Sequence, residues 1–362
     1  MSVKENKLEF MKIKRLHFIT PPFFLVLFLF FGCTWDATLE PEPVVVWPAL
    51  PGYELMGVPS SNPMTVAKVE LGKQLYYDPR LSGDGKRSCY GCHLKEHGLT
   101  DGKPVAIGAF EKLLTRSAPT MWNVGYYNEL YWDGRSKALE KQVKGAWSGG
   151  NMGASGKEGA PSMEDISSKL NQIKGYQQQF SLVFGSVANP DNVAYAIAAF
   201  MRTLVADQSR WARFQNGEEG AFSEQERRGW QVFNKKAHCT NCHDSILLTD
   251  MQYHNIGIGM DTDNPDIGRK KVSGQDKDMG AFKTPTLLDV SKSAPYFHNG
   301  SIATLEEAVD LMLSGGIANQ WLDEENLAET RKASLTDQDK QDLLAFLNAL
   351  DVDYNIQKPT LP

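Results

Sequence analysis

The sequence contains the motif Cys-x-x-Cys-His twice, as CYGCH at 89–93 and as CTNCH at 239–243. The pattern is typical of c-type haem attachment. Each thiol adds across a haem vinyl group, and the adjacent histidine is placed to ligate the iron. The groups concerned are Cys89, Cys92, His93, Cys239, Cys242 and His243. The sequence therefore predicts two covalently bound haems and electron transfer between them.

Other uses of a Cys-x-x-Cys pair fit less well. A zinc ribbon separates its two halves by roughly 15–20 residues, whereas these motifs are 150 positions apart (89 to 239). A redox dithiol does not need the histidine that follows both pairs. Four of the 5 cysteines lie inside the motifs, which argues against a wider disulfide framework. Haem attachment is the interpretation that uses every residue of both motifs.

The first 33 residues have the pattern of an export signal. A basic segment with Lys12, Lys14 and Arg15 precedes the apolar run at 23–31. This run is shorter than the ~20 residues that span a bilayer, so it indicates a secretory signal. A Gly-Cys pair ends it and resembles a bacterial lipoprotein processing site, with Cys33 as the lipidated residue. Ordinary cleavage near Thr34 is the alternative. We expect a periplasmic protein whose membrane contact is a lipid anchor at Cys33.

The charge of the chain limits its partners. The net charge is −6, and removal of residues 1–32, which carry five basic and two acidic residues, makes it −9. A mildly acidic chain is not expected to bind nucleic acid. It suits a basic electron donor, such as a small cytochrome c or a cupredoxin. The charge leaves the oligomeric state open, with a homodimer as one alternative.

The elements that position the motifs are predicted to be mainly α-helices joined by long Gly-rich loops, without an extended β-sheet. An amphipathic helix over 66–77 precedes the first motif. Capping residues predict further helices at 166–170, 193–205, 224–233, 305–313 and 337–350; these caps are Ser162, Asn192, Ser223, Thr304 and Thr336. The predicted organisation is a signal segment (1–33), a Pro-rich arm (34–60) and two cytochrome c-like haem domains (61–207 and 208–362). One alternative within this organisation is that the last helix packs back on the first haem domain.

Several longer segments resemble the bacterial di-haem cytochrome c peroxidase family, which includes the enzyme that matures methylamine dehydrogenase. The matching segments keep the order and spacing of the family between residues 71 and 312. They are LGKQLYYDPRLSGDGKRSCYGCH, EHGLTDG, RSAPTMWN, YWDGR, AIAAFMRTLVA, CTNCH, YHNIGIG, FKTPTLLDVSKSAPYFHNG and ATLEEAVDLM.

The resemblance implies a role for individual residues. The first haem would be the peroxidatic site and the second would store and relay electrons, with His93 and His243 as proximal ligands. Met312 matches the axial ligand of the second haem; spacing alone does not distinguish it from Met251, Met260 or Met279. Trp132 matches the tryptophan between the haems. A calcium site is implied at Ser117, Ser293 and Pro295.

The chain also departs from the family pattern. The loop that often carries a distal histidine reads IGAF at 107–110, and no histidine occurs between His97 and His238. If the turn after His93 is helical, His97 faces the proximal side. Asn151 stands where the family has its catalytic glutamate. The missing histidine predicts an open first haem. The asparagine leaves three alternatives: Glu158 or Glu164 replaces the acid, turnover is slow, or the protein has a different task.

The sequence as a whole predicts a di-haem cytochrome c peroxidase that reduces hydrogen peroxide to water with electrons from a small periplasmic donor. One alternative is a maturation-type oxidase that acts on a partner protein through Trp132. Another is a plain di-haem electron carrier.

Overall fold

The computed structural model describes residues 46–362, which belong to one compact unit. The signal segment, Cys33 and residues 34–45 of the Pro-rich arm lie outside the described residues. The chain is mainly helical, as predicted. The helices are α1 (Val66–Tyr77), α2 (Leu139–Ser148), α3 (Met163–Leu170), α4 (Lys174–Phe184), α5 (Pro190–Met201), α6 (Arg210–Gln215), α7 (Glu224–Gln231), α8 (Lys270–Ser273), α9 (Leu305–Leu313), α10 (Glu324–Lys332) and α11 (Asp337–Asn348).

Strand structure is confined to one short ladder in the described part of the chain. Strands β1 (Tyr253–His254) and β2 (Phe282–Lys283) pair antiparallel. Between residues 46 and 362, no helix has both the length and the apolar character needed to cross a membrane.

Most predicted helix starts are confirmed by their caps. The hydroxyls of Ser162, Ser223, Thr304 and Thr336 each accept a hydrogen bond from the backbone N–H three residues later, within a full capping box. Helices α1 and α9 have the predicted bounds at both ends. Helix α7 was predicted to reach 233, but its α-helical part ends at Gln231 and passes into a π-helical turn, Val232–Lys236, before the second motif.

The prediction for α5 was wrong at both ends. Its N-cap is Asn189, whose side chain accepts from the N–H of Asn192, and Pro190 occupies the first helical position. Proline suits that position because its missing N–H would have no partner there. The helix ends at Met201 rather than 205, because the N–H of Thr203 turns back to the carbonyl of Phe200.

The helix before each motif is crossed by a second helix at a glycine. A Cβ on Gly72 in α1 would overlap the carbonyl oxygen of Ala196 in α5. A Cβ on Gly229 in α7 would likewise overlap the carbonyl oxygen of Asp342 in α11. The backbones can approach this closely only because glycine has no side chain. The two crossings place both motifs at the end of the same kind of helix pair.

We expect Gly229→Ala to destabilise the protein strongly. The added methyl group would meet the Asp342 carbonyl and, at 2.7 Å, the Cβ of Phe346, so α7 and α11 would have to separate. Overpacking of this kind costs about 1–3 kcal/mol, and a clash with backbone belongs at the upper end. Urea unfolding followed by circular dichroism measures the loss. Gly220→Ala is the control, because a Cβ there meets nothing within 4 Å; equal stability of the two variants would contradict the close crossing of the helices.

A second correspondence links segments 116–151 and 282–317 at a constant separation in the sequence. Asn123 and Asp289 both adopt left-handed backbone angles before a short 3-10 turn. The bridge between Leu130 and Ser136 corresponds to the bridge between Tyr296 and Ile302. Helix α2 then corresponds to α9. The two halves of the chain therefore repeat one arrangement around their motifs.

The predicted domain boundaries stay a prediction, but the packing of the C-terminal residues is clear. Helix α11 packs on α7 at the Gly229 crossing. The segment after α11 reaches residues of the first half: the Tyr354 hydroxyl donates to the Thr203 carbonyl, and Arg80 donates to the carbonyl of Pro362.

Candidate haem-binding sites

Each motif forms a short 3-10 turn that presents its thiols together. The turns are Cys89–Gly91 and Cys239–Asn241, and the N–H of the second cysteine donates to the carbonyl of the first in both. All four motif cysteines are half-buried free thiols. The two turns thus offer paired thiols for thioether formation.

Both motif histidines are held by the same hydrogen bond. His93 Nδ1 lies 2.9 Å from the carbonyl oxygen of Leu99, and His243 Nδ1 lies 3.0 Å from that of Leu248. Both leucines adopt left-handed backbone angles, with φ of 61° and 54°, which turn their carbonyls toward the rings. Desolvation lowers the pKa of both histidines. A neutral ring that donates from Nδ1 keeps its Nε2 lone pair for a metal, as iron ligation requires.

A largely apolar cavity extends from the second motif toward the first. His243 and Met312 both line it. Its walls come from α9, α10, α11 and the π-helical turn that follows α7, and they include Phe233, Leu305, Leu327, Leu343 and Leu347. Met251, Met260 and Met279 are not among its lining residues. The fold therefore places Met312, of the four candidate methionines, in one cavity with His243. Its ligation of iron remains a prediction.

The first site has no counterpart of Met312. In the correspondence between α2 and α9, the position of Met312 is taken by Ala146, whose methyl group cannot ligate a metal. The loop at 107–110 carries no ligating side chain either. The loop is hydrogen-bonded to Asn151, which follows α2: the Ala109 N–H donates to the Asn151 carbonyl at 3.0 Å. The two departures noted in the sequence are thus neighbours in the fold.

The acid–base candidates are all exposed. Asn151 lies on the surface side of the loop at 107–110, outside the lining of the apolar cavity. Glu158 lies in the turn between Ser155 and Ser162, and Glu164 lies in the first turn of α3. Nothing in the described contacts places either glutamate at the first motif, so a carboxylate there is not assigned.

His93 and His97 do not lie on one continuous helix, as the sequence argument had assumed. Leu94 is extended, and a separate 3-10 turn, Lys95–His97, follows it. The His97 ring packs beside Gly102, in the loop that also supplies the Leu99 carbonyl. Its place next to the segment that holds His93 still agrees with a position on the proximal side.

Trp132 lies where the two halves meet. Its indole N–H donates to the Ser117 carbonyl at 3.0 Å, its own carbonyl accepts from Lys283 N–H at 2.8 Å, and its side chain lines the cavity. Lys283 is buried, which lowers the pKa of its ammonium group to about 8, and its Nζ donates to the Glu129 carbonyl. Lys283 was not singled out in the sequence, because a lysine in an apolar segment carries no motif.

The three residues of the predicted calcium site line the same cavity. The Ser117 hydroxyl donates to the Phe297 carbonyl at 2.9 Å, and the Ser293 hydroxyl donates to the Val290 carbonyl at 3.1 Å. Pro295 follows a cis peptide bond. In the implied site Ser117 would offer its side-chain oxygen, and Ser293 and Pro295 would offer backbone carbonyls. Calcium binding therefore stays a prediction.

An additional charged group borders the second motif. His254 is hydrogen-bonded through Nε2 to Asp250 and through Nδ1 to Asp323, and it lies close to the Cys242 thiol. Burial would lower the pKa of His254, but the two carboxylates raise it to about 12. The two carboxylates thus favour the protonated form of a ring that is fixed in the cavity wall. Sequence reasoning missed it because Asp323 comes from a distant segment.

The residues present fit two haem groups. The second site has an apolar cavity with an imidazole and a thioether in its wall. At the first site, the buried Nε of Arg87 has no hydrogen-bond partner. Each haem carries two propionate groups, and a guanidinium with a free donor suits a carboxylate. His93 and His243 would hold the irons.

Comparison with known proteins shows the family of the chain. The family model described as di-haem cytochrome c peroxidase matches residues 66–220. A cytochrome-c peroxidase of Pseudomonas sp. (strain SCT) is 35% identical over 84% of this chain and 86% of its own length. The methylamine utilization protein MauG of Methylophilus methylotrophus is 34% identical over 91% of this chain and 94% of its own.

A solved structure extends the likeness to the fold. The crystal structure of a MauG-like protein associated with microbial copper homeostasis has a TM-score of 0.75 and 31% identity, and the match covers 85% of this chain and 96% of that one. The name of the family implies c-type haems. The chain belongs to the di-haem cytochrome c peroxidase family.

Proposed function

We propose that the protein is a peroxidase that reduces hydrogen peroxide to water at the first haem, with electrons passed on by the second. The observation that carries this proposal is the difference between two otherwise corresponding sites. The second site offers a thioether, Met312, in one cavity with His243, whereas the first offers the methyl group of Ala146 at the corresponding position. A thioether ligand raises haem potential and closes the iron, which suits electron storage. A site without a second ligand can admit a substrate.

The chain's own residues prepare the two sites. The carbonyls of Leu99 and Leu248 fix the ring orientation of His93 and His243 and favour the tautomer that can ligate. Haem iron, when bound, supplies the electrons and the position at which the peroxide O–O bond breaks. The Trp132 indole is anchored by the Ser117 carbonyl in the wall between the two motifs. It is the residue through which we propose that electrons cross.

We expect the first haem to be high-spin in the fully oxidised protein. Neither Ala146 nor the loop at 107–110 supplies a second ligand, so cyanide or peroxide should bind without prior reduction. Electron paramagnetic resonance of the holo-protein measures the spin state, and optical titration measures cyanide binding. Steady-state peroxide consumption with a reduced donor tests the activity itself. A low-spin bis-histidine signal from the first haem would refute the open site.

We expect Asn151→Glu to accelerate peroxide turnover. A carboxylate can take a proton from one peroxide oxygen and return it to the other, whereas an amide cannot, and such groups contribute about 10²–10⁴-fold. Asn151 is exposed, and its backbone carbonyl, not its side chain, holds the loop at 107–110, so the change should not disturb folding. The ratio kcat/KM for peroxide is the quantity to compare.

Asn151→Gln is the matched control, because it lengthens the side chain without adding a carboxylate. No gain in Asn151→Glu, together with loss of activity in Glu158→Gln or Glu164→Gln, would assign the acid–base role to that glutamate instead.

A second candidate is a maturation-type oxidase that removes electrons from a residue of a partner protein through Trp132. It is favoured by the likeness to MauG and to a MauG-like protein and by the amide at position 151. Met312 argues for the peroxidase branch, because the resemblance implies a tyrosine there in the maturation enzyme. Vigorous turnover with a small reduced donor supports the peroxidase, and a plain electron carrier would show no peroxide turnover at all.

The remaining parts of the proposal concern location and partners. Members of this family are periplasmic, and the signal pattern at 1–33 supports export of this chain. We propose attachment to a membrane through lipid at Cys33, a small cytochrome c or cupredoxin as donor, and covalent attachment of both haems. Calcium at Ser117, Ser293 and Pro295 and assembly as a homodimer complete the proposal.

A further inference from the structure

Three tyrosines surround the first motif and have no counterpart at the second. Tyr76 and Tyr77 end α1, and Tyr90 lies between the two attachment cysteines. Matching Gly72 with Gly229 aligns α1 with α7 and the π-helical turn that follows it. Matching the two motifs aligns Cys89–His93 with Cys239–His243. The corresponding residues at the second site are Phe233, Asn234 and Thr240. At these three positions the first site thus carries oxidisable phenols and the second carries none, although Tyr296 lines the cavity of the second site elsewhere.

The ring of Tyr77 contacts those of both Tyr76 and Tyr90. The rings of Tyr77 and Tyr90 are stacked, with centroids 4.4 Å apart and planes 24° apart. The ring of Tyr76 meets that of Tyr77 edge to face at 5.7 Å. The Tyr76 hydroxyl lies 3.5 Å from the sulfur of Met121. At the second site this place is taken by a polar contact, in which Thr240 Oγ1 lies 3.3 Å from Asn234 Oδ1.

The Tyr90 hydroxyl has a proton acceptor, whereas the Tyr77 hydroxyl has none among the described residues. The Tyr90 hydroxyl donates to Glu96 Oε2 at 3.2 Å, near the surface. The Tyr77 hydroxyl is buried and has no hydrogen-bond partner among residues 46–362. A phenol loses an electron readily only when its proton can leave as well, because its cation is a very strong acid. Tyr90 is therefore the easier of the two to oxidise, and Tyr77 is its nearest aromatic neighbour.

We propose that the Tyr77–Tyr90 pair is an internal electron donor to the first site, which is oxidised by hydrogen peroxide when no external donor is present. Tyr90 gives up one electron, and its phenolic proton passes to Glu96. Tyr77 has no proton acceptor of its own among the described residues, so it passes a hydrogen atom to the Tyr90 phenoxyl. The restored Tyr90 then gives up the second electron, and its proton again passes to Glu96 once the first proton has left for water. The O–O bond of one peroxide molecule breaks, both electrons and both protons end in two molecules of water, and two phenoxyl radicals remain face to face.

The stacked geometry favours coupling of the two radicals. Two phenoxyl radicals in contact join through a ring carbon of each, and the displaced ring hydrogens return to the oxygens. The product is a dityrosine link between residues 77 and 90, with two hydrogen atoms fewer than the separate side chains. The first site would then carry a permanent record of exposure to peroxide without a donor. This inference rests on the proposed function, because it needs peroxide to react at the first haem.

The test uses the fully oxidised holo-protein mixed with hydrogen peroxide in the absence of donor. Rapid freezing and electron paramagnetic resonance should show a tyrosyl radical, and mass spectrometry of the digested protein should show the peptides of 77 and 90 joined. Tyr90→Phe should lose both signals. Tyr77→Phe should keep the radical and lose the link. Tyr53→Phe, a partly exposed ring against Tyr126, is the control and should keep both.

The variants are chosen so that folding is preserved. Tyr77→Phe removes a hydroxyl that bonds to nothing, and Tyr90→Phe removes a single bond near the surface. Glu96→Gln keeps the shape of the proton acceptor without its charge, and radical formation should slow by roughly tenfold or more. This readout depends on proton transfer, so a purely structural role of the ring pair would not change it.

The outcomes separate this inference from the proposed function. If peroxide is consumed with a reduced donor but Tyr90→Phe keeps an unchanged radical, or if neither radical nor link forms in the unaltered protein, the tyrosine pair is not the internal donor. The peroxidase proposal would then stand alone. If peroxide is not consumed under any condition, both fail together.

Discussion

A variant with Cys89 and Cys92 both changed to alanine is expected to retain one covalently bound haem per chain and to lose peroxide turnover completely. Without the two thiols no thioether bond can form at the first motif, although the His93 ring would still be oriented by the Leu99 carbonyl. The second motif forms its turn independently. Haem that stays with the protein in acidified organic solvent, measured against protein concentration, gives the stoichiometry.

The matched variant changes Cys239 and Cys242 to alanine and should also retain one haem. It differs in the site that survives: the first haem remains, so cyanide should still bind to the oxidised protein, while the methionine-ligated spectrum is lost. Zinc in place of haem, or haem that extracts completely from the unaltered protein, would end the di-haem interpretation.

Met312→Ala is expected to lower the potential of the second haem and to remove the thioether signature from its spectrum. Axial ligands set haem potentials over a range of roughly 0.8 V, and methionine lies toward the upper end. Turnover with donor should fall as well, because the second haem would no longer store an electron at a suitable potential. Redox titration followed optically measures the shift.

Met279→Ala is the control, since Met279 does not line the cavity that His243 and Met312 share. If Met279→Ala or Met251→Ala shifts the potential and Met312→Ala does not, the ligand has been assigned to the wrong methionine.

The parts of the fold that could be predicted are those that local chemistry specifies. The two motifs are visible directly in the sequence, and Ser162, Ser223, Thr304 and Thr336 each indicated a helix through a cap that the structure contains. Helices α2 and α4 were missed because they begin after Ala138 and Ile173, which provide no side-chain cap. These helices form because their apolar faces are buried by other segments, and no local pattern reports that.

The candidate sites could be predicted only in part for the same reason. Met312 was distinguished from other methionines by resemblance, whereas the fold distinguishes it by placing it in a cavity with His243. The match of Ala146 to Met312 could not be seen from two helices with little sequence in common. The pair of hydrogen bonds that holds the His254 ring depends on Asp323, which is 69 positions away in the sequence. Contacts between distant segments are decided by packing, which spacing along the chain does not encode.

The glycine crossings also bear on how the protein matures. Gly72 meets a helix that begins only at Pro190, and Gly229 meets one that begins at Asp337, so each crossing joins segments far apart in the chain. Contacts of this kind form slowly, because a long loop must close before they stabilise anything. Each motif follows the earlier helix of its pair and precedes the later one. We therefore expect the paired thiols to be accessible during this delay, so that the proposed attachment of haem would have an interval in which to occur before the core closes around it.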